Sequence, residues 1–192
     1  MELKTLTWNI GGAKLLSPGE DPSLLASYNV EGLADIIAKL TEIDPDIITL
    51  QEVEGSTETN QIAYIAERIG REHYFYDTTS ASHIDTSQSL GNGIISRYPI
   101  SEHKAGLFLN PDVEFDLEGQ VVKSHDKGYS LGLIDINGFR VRTVSLHLLP
   151  FRRMGIELNS NVAKNIYESV AAELKFEDEH VLILMTVRLV AI

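Results

Sequence analysis

"PDIITLQEVEG", residues 45–55, has the pattern of a buried strand that ends in polar side chains. Its apolar run is rich in β-forming residues and is bounded by Asp-Pro before it and Glu-Gly-Ser after it, which predicts a strand between two turns. Glu52 ends that run, with Gln51 beside it. A carboxylate in this position is a natural ligand for Mg²⁺, which commonly takes one or two protein carboxylates and completes its shell with water and substrate phosphate. A solvated glutamate or a helix cap explains the spacing equally well.

A second predicted strand ends near the N-terminus in a comparable way. Residues 3–9 alternate around Leu6 and Trp8, and the turn "NIGG" follows them. Asn9 carries a carboxamide oxygen that could bind a hard cation or a phosphate-bound water, and the two glycines would let a substrate approach the backbone. The alternative interpretation is that Asn9 hydrogen-bonds within its own turn.

A hairpin is predicted near residue 137. Asn137-Gly138 joins "YSLGLIDI", 129–136, to "FRVRTVSLHL", 139–148, and both positions of such a turn favour positive φ. His147 then lies at the far end of the second strand. An imidazole there can protonate a leaving oxygen, activate water or donate to a phosphoryl oxygen. A hydrogen-bonded structural histidine is the other interpretation.

The rest of the chain alternates strands with helices. Apolar spacing predicts helices over 29–42, over about 62–69 with Gly70 just past the end, and over 160–175, and it predicts strands over 73–76, 92–96 and 180–186. Residues 10–28 and 77–90 are predicted to be loops. Such a pattern, with a hairpin in it, indicates one domain over 1–192 that has a mixed sheet covered by helices, of the α/β or α+β class.

Composition narrows the functional classes. The chain has 192 residues, no cysteine and a formal charge of −12, with six histidines and 28 acidic residues. Disulfides and zinc-thiolate sites are excluded, and a cytoplasmic address without stable membrane insertion is expected. The acidic balance also disfavours non-specific attraction to nucleic acid, because no surplus of Lys and Arg can displace counterions.

Four motifs, taken in order, resemble a known family. "LTWNIGG", "PDIITLQEVEG", "GNGIISRYPI" and "RVRTVSLHLLP" are similar to those of the endonuclease/exonuclease/phosphatase superfamily, and the similarity extends to about Met185. The resemblance implies a four-layer α/β/β/α sandwich of mixed sheets that cleaves phosphoester bonds with a divalent metal, Mg²⁺ or Mn²⁺. Glu52 and Asn9 match the metal-site positions, and His147 matches a residue that contacts the scissile phosphate, so these three are the predicted catalytic residues. Asn92, Arg97 and Pro99 match a structural landmark.

The last residues depart from the family pattern. After the predicted strand the family continues with Gly-Asp-x-Asn and later Ser-Asp-His, whereas this sequence continues with "TVRLVAI" and has neither Asp nor Asn after Asp178. We therefore expect an incomplete domain whose C-terminal part is missing, with 186–192 as an aberrant tail. We also expect weak Mg²⁺ binding, little turnover, and self-association through an uncovered sheet edge. The alternative is a natural end in which residues 181–192 form one long buried strand.

Three functional hypotheses follow. The first is a metal-dependent phosphodiesterase or phosphatase acting on a phosphorylated small molecule, a lipid headgroup or nucleic acid. The second is a non-catalytic pseudoenzyme that serves as a binding module. The third is an unrelated carbohydrate or small-molecule enzyme, which the ordered motifs disfavour. Glu54 adds negative charge near the predicted metal position, and no nearby positive residue is evident in the sequence to hold a polyanion.

Overall fold

Strands and helices alternate along the computed structural model, which describes residues 2–56, 58–176 and 180–186. Two short 3₁₀ turns, Gly11–Ala13 and Leu25–Ser27, flank the second strand. The other elements are β1 Thr5–Asn9, β2 Lys14–Leu16, β3 Tyr28–Glu31, α1 Leu33–Ile43, β4 Ile47–Gly55, α2 Gln61–Arg68, β5 His73–Ala81, β6 Ser89–Ser96, β7 Ile100–Leu107, β8 Glu114–Leu117, β9 Gln120–Lys123, β10 Gly128–Ile136, β11 Phe139–His147, α3 Asn161–Glu173 and β12 His180–Thr186.

Two four-stranded mixed sheets form the centre of the fold. The first has the order β1-β4-β6-β5, with β1 and β4 parallel, and the second has the order β12-β11-β10-β7, with β11 and β12 parallel. The hairpins β2-β3 and β8-β9 lie outside these sheets. Parallel pairing of β1 with β4 brings the carboxyl ends of both strands to the same edge of the first sheet.

Helices cover the outer faces of both sheets, which confirms the predicted α/β/β/α layers. The face of β4 that carries Ile48 and Leu50 packs against α1 and α2, whose buried residues include Ile36 and Ile62. Its opposite face places Ile47 against Ile134 of the second sheet. The side chains of α3 pack on the other face of the second sheet and its following loop. The buried apolar faces explain why the period-2 and period-3.6 patterns alternate along the sequence.

Local sequence explains where several elements begin and turn. Asn60 and Ser160 cap α2 and α3 by accepting hydrogen bonds from the backbone N–H groups of residues three positions further on, at 2.9 and 3.2 Å. Asn137 and Gly138 have φ of 56° and 89°, so the predicted hairpin turn is confirmed. At the far end of β6, Arg97 forms ion pairs with Asp44 and Asp46 at 2.8 and 2.9 Å. The "RYP" landmark therefore has a structural role in the described fold.

Three sequence predictions differ from the structure. The helix predicted from residue 29 begins at Leu33, because Tyr28–Glu31 pairs with β2 instead. The predicted loop 77–90 is shorter, since β5 continues to Ala81 and β6 begins at Ser89, each held by the other strand. The strands β2, β7, β8 and β9 were not predicted, and β2 lies within the predicted loop 10–28. Cross-strand partners stabilise these polar segments, and single-strand periodicity does not reveal such partners.

β1 and β12 are the outer strands of their sheets on the same side of the sandwich, and they contact each other. Val181 and Ile183 of β12 are 41% and 44% exposed. Self-association through this edge stays a prediction, and the predicted tail lies outside the described residues except for Thr186. None of the helices in the described ranges is long and apolar enough to cross a membrane.

Candidate active site at the strand ends

Glu52 is presented by a β-bulge within β4, which does not end at Glu52 as predicted but continues to Gly55 through its pairing with β6. The pairing register with β6 shifts between Gln51 and Val53, so Glu52 is an extra residue, and its φ is +50°. Leu50 and Val53 both pack into the helix-side core, although strict alternation would place residue 52 there. A bulge that re-aims one side chain in this way is common beside active sites. The carboxylate consequently leaves the core and lies at the edge of the sheet, with its side chain 20% exposed.

Asn9 lies beside this carboxylate, at the end of β1. The pairing of β1 with β4 places Asn9 opposite Gln51. Its Oδ1 accepts a hydrogen bond from the Gly11 N–H at 3.0 Å, which is the local turn contact considered in the sequence analysis. A hydrogen bond from the Asn9 side chain also lowers the pKa of Glu52. In this arrangement Asn9 orients Glu52, and its role as a metal ligand stays a prediction.

The two glycines of "NIGG" have different roles beside β4. Gly11 has φ of +53°, and a Cβ built there would have Glu52 Oε2 at 4.0 Å as its nearest neighbour. Gly12 has φ of +64°, and a Cβ there would come within 2.9 Å of Ile84 and 3.0 Å of Glu54. Glycine at residue 11 thus leaves room for a ligand near the carboxylate, whereas glycine at residue 12 allows close packing.

His147 belongs to the second sheet and lies close to Glu52. It ends β11, its side chain is 12% exposed, and its Nε2 lies 3.6 Å from Glu52 Oε1. Beneath it, Gln51 Nε2 donates to Ser145 Oγ at 3.0 Å, and Ser145 Oγ donates to the carbonyl of Leu50 at 3.2 Å. These buried hydrogen bonds connect the ends of β4 and β11, and therefore hold Glu52 and His147 close together.

Lys127 is the residue that the sequence analysis missed. It immediately precedes β10, its side chain is 11% exposed, and its Nζ lies 3.8 Å from Glu52 Oε1. The neighbouring carbonyl of Gly128 accepts a hydrogen bond from the buried Asn92 at 2.9 Å, which fixes the start of β10. The predicted hairpin already contained the signal, because its antiparallel register places the residue before the first strand close to the end of the second. A positive charge is therefore present where the sequence suggested none.

The charges of this cluster influence one another strongly. Burial alone would raise the pKa of Glu52, but Lys127 and the other neighbouring groups outweigh it, so that pKa lies below its usual range. Burial lowers the pKa of Lys127, while Glu52 opposes that change. Burial, followed by the charge of Lys127, lowers the pKa of His147 to about 4. His147 is consequently a neutral imidazole near pH 7, able to donate from one ring nitrogen and accept at the other.

Glu54 does not add its charge to the cluster in the way the sequence suggested. Its side chain is buried, and its Oε1 accepts hydrogen bonds from Ser82 Oγ at 2.6 Å and from the Asp85 N–H at 3.2 Å. Its own N–H donates to Gln61 Oε1 at 3.0 Å. Glu54 therefore holds the connection between β5 and β6 against the end of β4.

The donor set suits a hard cation at Glu52. One carboxylate beside an amide and an open backbone turn matches the habit of Mg²⁺, which keeps several waters and binds substrate phosphate. In the described ranges, however, no group of three or more His, Cys, Asp or Glu is arranged to hold a metal ion. Glu52 would therefore be the main protein ligand, and water and substrate would complete the shell.

Comparison with known proteins places this arrangement in a family. The sequence profile of the Endonuclease/Exonuclease/phosphatase family matches residues 6–122. That range contains Asn9 and Glu52, whereas Lys127 and His147 lie beyond it. No curated protein matches the sequence.

Several solved structures share the fold. An endonuclease/exonuclease/phosphatase from Beutenbergia cavernae has a TM-score of 0.55 at 22% identity, over 76% of this chain and 38% of its own. ANGEL2, a 2′,3′-cyclic phosphatase, has a TM-score of 0.60 at 17% identity, over 90% of this chain and 46% of its own. The mannosyl-6-phosphatase Bt3783 of Bacteroides thetaiotaomicron has a TM-score of 0.52 at 15% identity, over 96% of this chain and 64% of its own.

The present chain thus spans less than two thirds of the length of each of these three proteins. At these identities the structural likeness establishes the fold alone. The profile match covers more than half of the chain, and the ordered strand ends lie in the fold that the resemblance implied. The chain therefore belongs to the Endonuclease/Exonuclease/phosphatase family.

Proposed function

We propose that the protein hydrolyses phosphoesters with a divalent cation held at Glu52. The observation that carries this proposal is the convergence of Glu52 of β4, Lys127 just before β10 and His147 of β11, with Glu52 Oε1 3.8 Å from the ammonium and 3.6 Å from the imidazole. Together these groups offer a carboxylate for a hard cation and two donors for phosphate oxygens.

Each residue has a distinct task in this proposal. Glu52 would hold Mg²⁺ or Mn²⁺, with Asn9 fixing the carboxylate, and the bound cation would supply charge neutralisation and an activated water. Lys127 would donate to a phosphoryl oxygen as a compact positive charge. His147 would donate its ring N–H to the phosphate or accept a proton. Its pKa of about 4 disfavours a role as a cationic acid near pH 7.

We propose a phosphorylated small molecule as the substrate. The formal charge of −12 disfavours the binding of a long nucleic acid, which is itself a polyanion. Two structures with the same fold are described as a 2′,3′-cyclic phosphatase and a mannosyl-6-phosphatase, which is compatible with substrates of modest size. We further propose weak turnover for these 192 residues, because the sequence has no counterpart of the Asp, Asn and His that the resemblance assigns to water positioning.

The experiment compares Glu52→Gln with the exposed control Glu58→Gln. Mn²⁺ binding is measured by electron paramagnetic resonance, and hydrolysis of p-nitrophenyl phosphate and its bis ester is measured with Mg²⁺ or Mn²⁺. We expect Glu52→Gln to weaken Mn²⁺ binding at least about tenfold and to remove any turnover, while the control behaves as the wild type. Equal Mn²⁺ binding by the two variants would contradict the metal assignment, and fast Mg²⁺-dependent turnover by the wild type would contradict weak activity.

A non-catalytic phosphate-binding module is the second candidate. Lys127 already gives Glu52 a positive partner, so the cluster is electrostatically satisfied by protein groups alone. On this hypothesis inorganic phosphate binds in excess EDTA, and Lys127→Met weakens that binding. If phosphate binding requires a divalent cation, the module hypothesis is wrong.

A further inference from the structure

Two exposed histidines face each other beside the Glu52 cluster. His83 lies in the connection between β5 and β6, and His125 lies in the connection between β9 and β10, two residues before Lys127. Their ring centroids are 5.5 Å apart, and their planes differ by 27°. The sequence gives no hint of this pair, because 42 positions separate the two residues.

We infer that His83 and His125 form an open binding site for a borderline divalent transition-metal cation of the Zn²⁺, Co²⁺ or Ni²⁺ type. Two imidazoles on one tetrahedral cation, with metal–nitrogen bonds of about 2.0 Å, hold their ring centroids about 5 Å apart. The observed 5.5 Å is close to that separation. Imidazole nitrogens bind these cations far better than they bind Mg²⁺ or Ca²⁺, so the pair differs in selectivity from the carboxylate of Glu52.

The backbone that carries His83 is held from both sides. The preceding residue, Ser82, is buried and donates to Glu54 Oε1 at 2.6 Å. Its Oγ also accepts hydrogen bonds from the N–H groups of Ile84 and Asp85, both at 3.0 Å. The ring of His83 therefore extends from a fixed turn, which lowers the entropy lost when a ligand binds.

The backbone around His125 is fixed by Asn110. Ser124 Oγ donates to Asn110 Oδ1 at 2.6 Å, and Asn110 Nδ2 donates to the Ser124 carbonyl at 3.2 Å. Asn110 Nδ2 also donates to Asp126 Oδ1 at 2.8 Å, so both neighbours of His125 are held. The two imidazoles thus extend from separately anchored connections, and their rings stack at a centroid separation of 5.5 Å.

The surrounding charges favour a weak, exchangeable site. Lys127 and Arg153 are positive groups near His83, whereas Glu52 is the negative group that acts on the same ring. Within the part of the chain that the structure describes, no third His, Cys, Asp or Glu completes a metal-binding group. Water or an anionic ligand must fill the remaining positions, as at an open site rather than a closed structural one.

The experiment measures Zn²⁺ binding to the whole 192-residue chain by calorimetry in excess Mg²⁺, and Co²⁺ binding by visible absorption. The variants are His83→Gln and His125→Gln, and the matched control is His103→Gln, whose side chain is 44% exposed on β7. We expect His83→Gln and His125→Gln each to weaken Zn²⁺ binding at least about tenfold, and we expect the control to leave it unchanged. Melting curves followed by circular dichroism verify that all variants are folded.

Glu52→Gln separates this site from the proposed function. We expect that variant to keep Zn²⁺ binding within about threefold, because the pair does not use the carboxylate as its main ligand. The inference is overturned if His83→Gln and His125→Gln bind Zn²⁺ as the wild type does, or if His103→Gln weakens binding equally. It is also overturned if the Co²⁺ spectra of the wild type lack the bands of nitrogen ligation. Loss of Zn²⁺ binding in Glu52→Gln alone would place the cation at the Glu52 site instead and would likewise overturn it.

Discussion

The coupling between Glu52 and Lys127 can be measured as a free energy. The two charged atoms are 3.8 Å apart, and the side chains are 20% and 11% exposed. At an effective dielectric constant of about 20, charges at that separation attract by about 4 kcal/mol. Water reaches both groups, and hydrogen-bond geometry is absent at this distance, so we expect about 1–3 kcal/mol of coupling free energy.

A double-mutant cycle tests this value. Glu52→Gln, Lys127→Met and the double variant are unfolded in urea at pH 7.5 in EDTA, so that no metal contributes to the free energy of unfolding. In each single variant the remaining charged residue of the pair is partly buried and has lost the partner that was replaced. The double variant removes both charges. We expect the double variant to be more stable than the sum of the single losses predicts, by about 1–3 kcal/mol.

If the stability loss of the double variant equals the sum of the two single losses to within about 0.5 kcal/mol, the two charges are not coupled and the reasoning is refuted. Lys39 and Glu42 supply a matched control, because that pair lies on the surface of α1 with side chains that are 52% and 70% exposed. We expect its coupling to be below about 0.5 kcal/mol. Similar coupling in both cycles would mean that burial does not strengthen the pair at Glu52.

Two further predictions concern acid stability and packing. Because the pKa of His147 is about 4 in the fold and 6.5 ordinarily, the unfolded chain binds more protons between these values. The contribution of His147 to the free energy of unfolding should fall by about 2 kcal/mol from pH 7 to pH 5, measured by urea midpoints in EDTA. Burial also lowers the pKa of His83 and of His125, which adds to the change in the wild type. His147→Asn should flatten that dependence, and an unchanged slope would contradict the assignment. Gly91→Ala would place a Cβ 2.1 Å from the Asp77 carbonyl oxygen, whereas a Cβ at Gly19 meets nothing within 4 Å. Gly91→Ala should therefore cost more than about 2 kcal/mol, and Gly19→Ala about 1 kcal/mol from its positive φ. Equal urea midpoints for these two variants would contradict the close packing of β5 on β6.

Much of the fold could be predicted because local pattern and buried faces agree. β4 and β10 are runs of β-forming residues that are buried on both faces and bounded by turns, and α2 and α3 have apolar side chains at helical spacing. β7, β8 and β9 escaped prediction because their side chains are largely polar or exposed. Such strands depend on their partners for stability, and partners distant in sequence leave no periodic signal.

Some features of the candidate site could likewise be predicted from the sequence, and others could not. Asn9, Glu52 and His147 were predicted because each follows an apolar run. Asn9 and His147 do end their strands, whereas β4 continues past Glu52 to Gly55. The outward aim of Glu52 depends on a bulge, and the burial of Glu54 depends on the distant Ser82. Neither the register shift nor the hydrogen bond can be read from residues 52–54 alone.

The sequence by itself determined the family, the layered class and three strand-end candidates, because short motifs and periodic apolar faces are local properties. Only the tertiary structure placed Lys127 against Glu52 and His83 against His125. The cause is physical: burial and charge act through distances of a few ångströms, which the chain creates by pairing strands that lie far apart in sequence. The neutral state of His147, with a pKa of about 4, therefore follows from the assembled cluster and not from any motif.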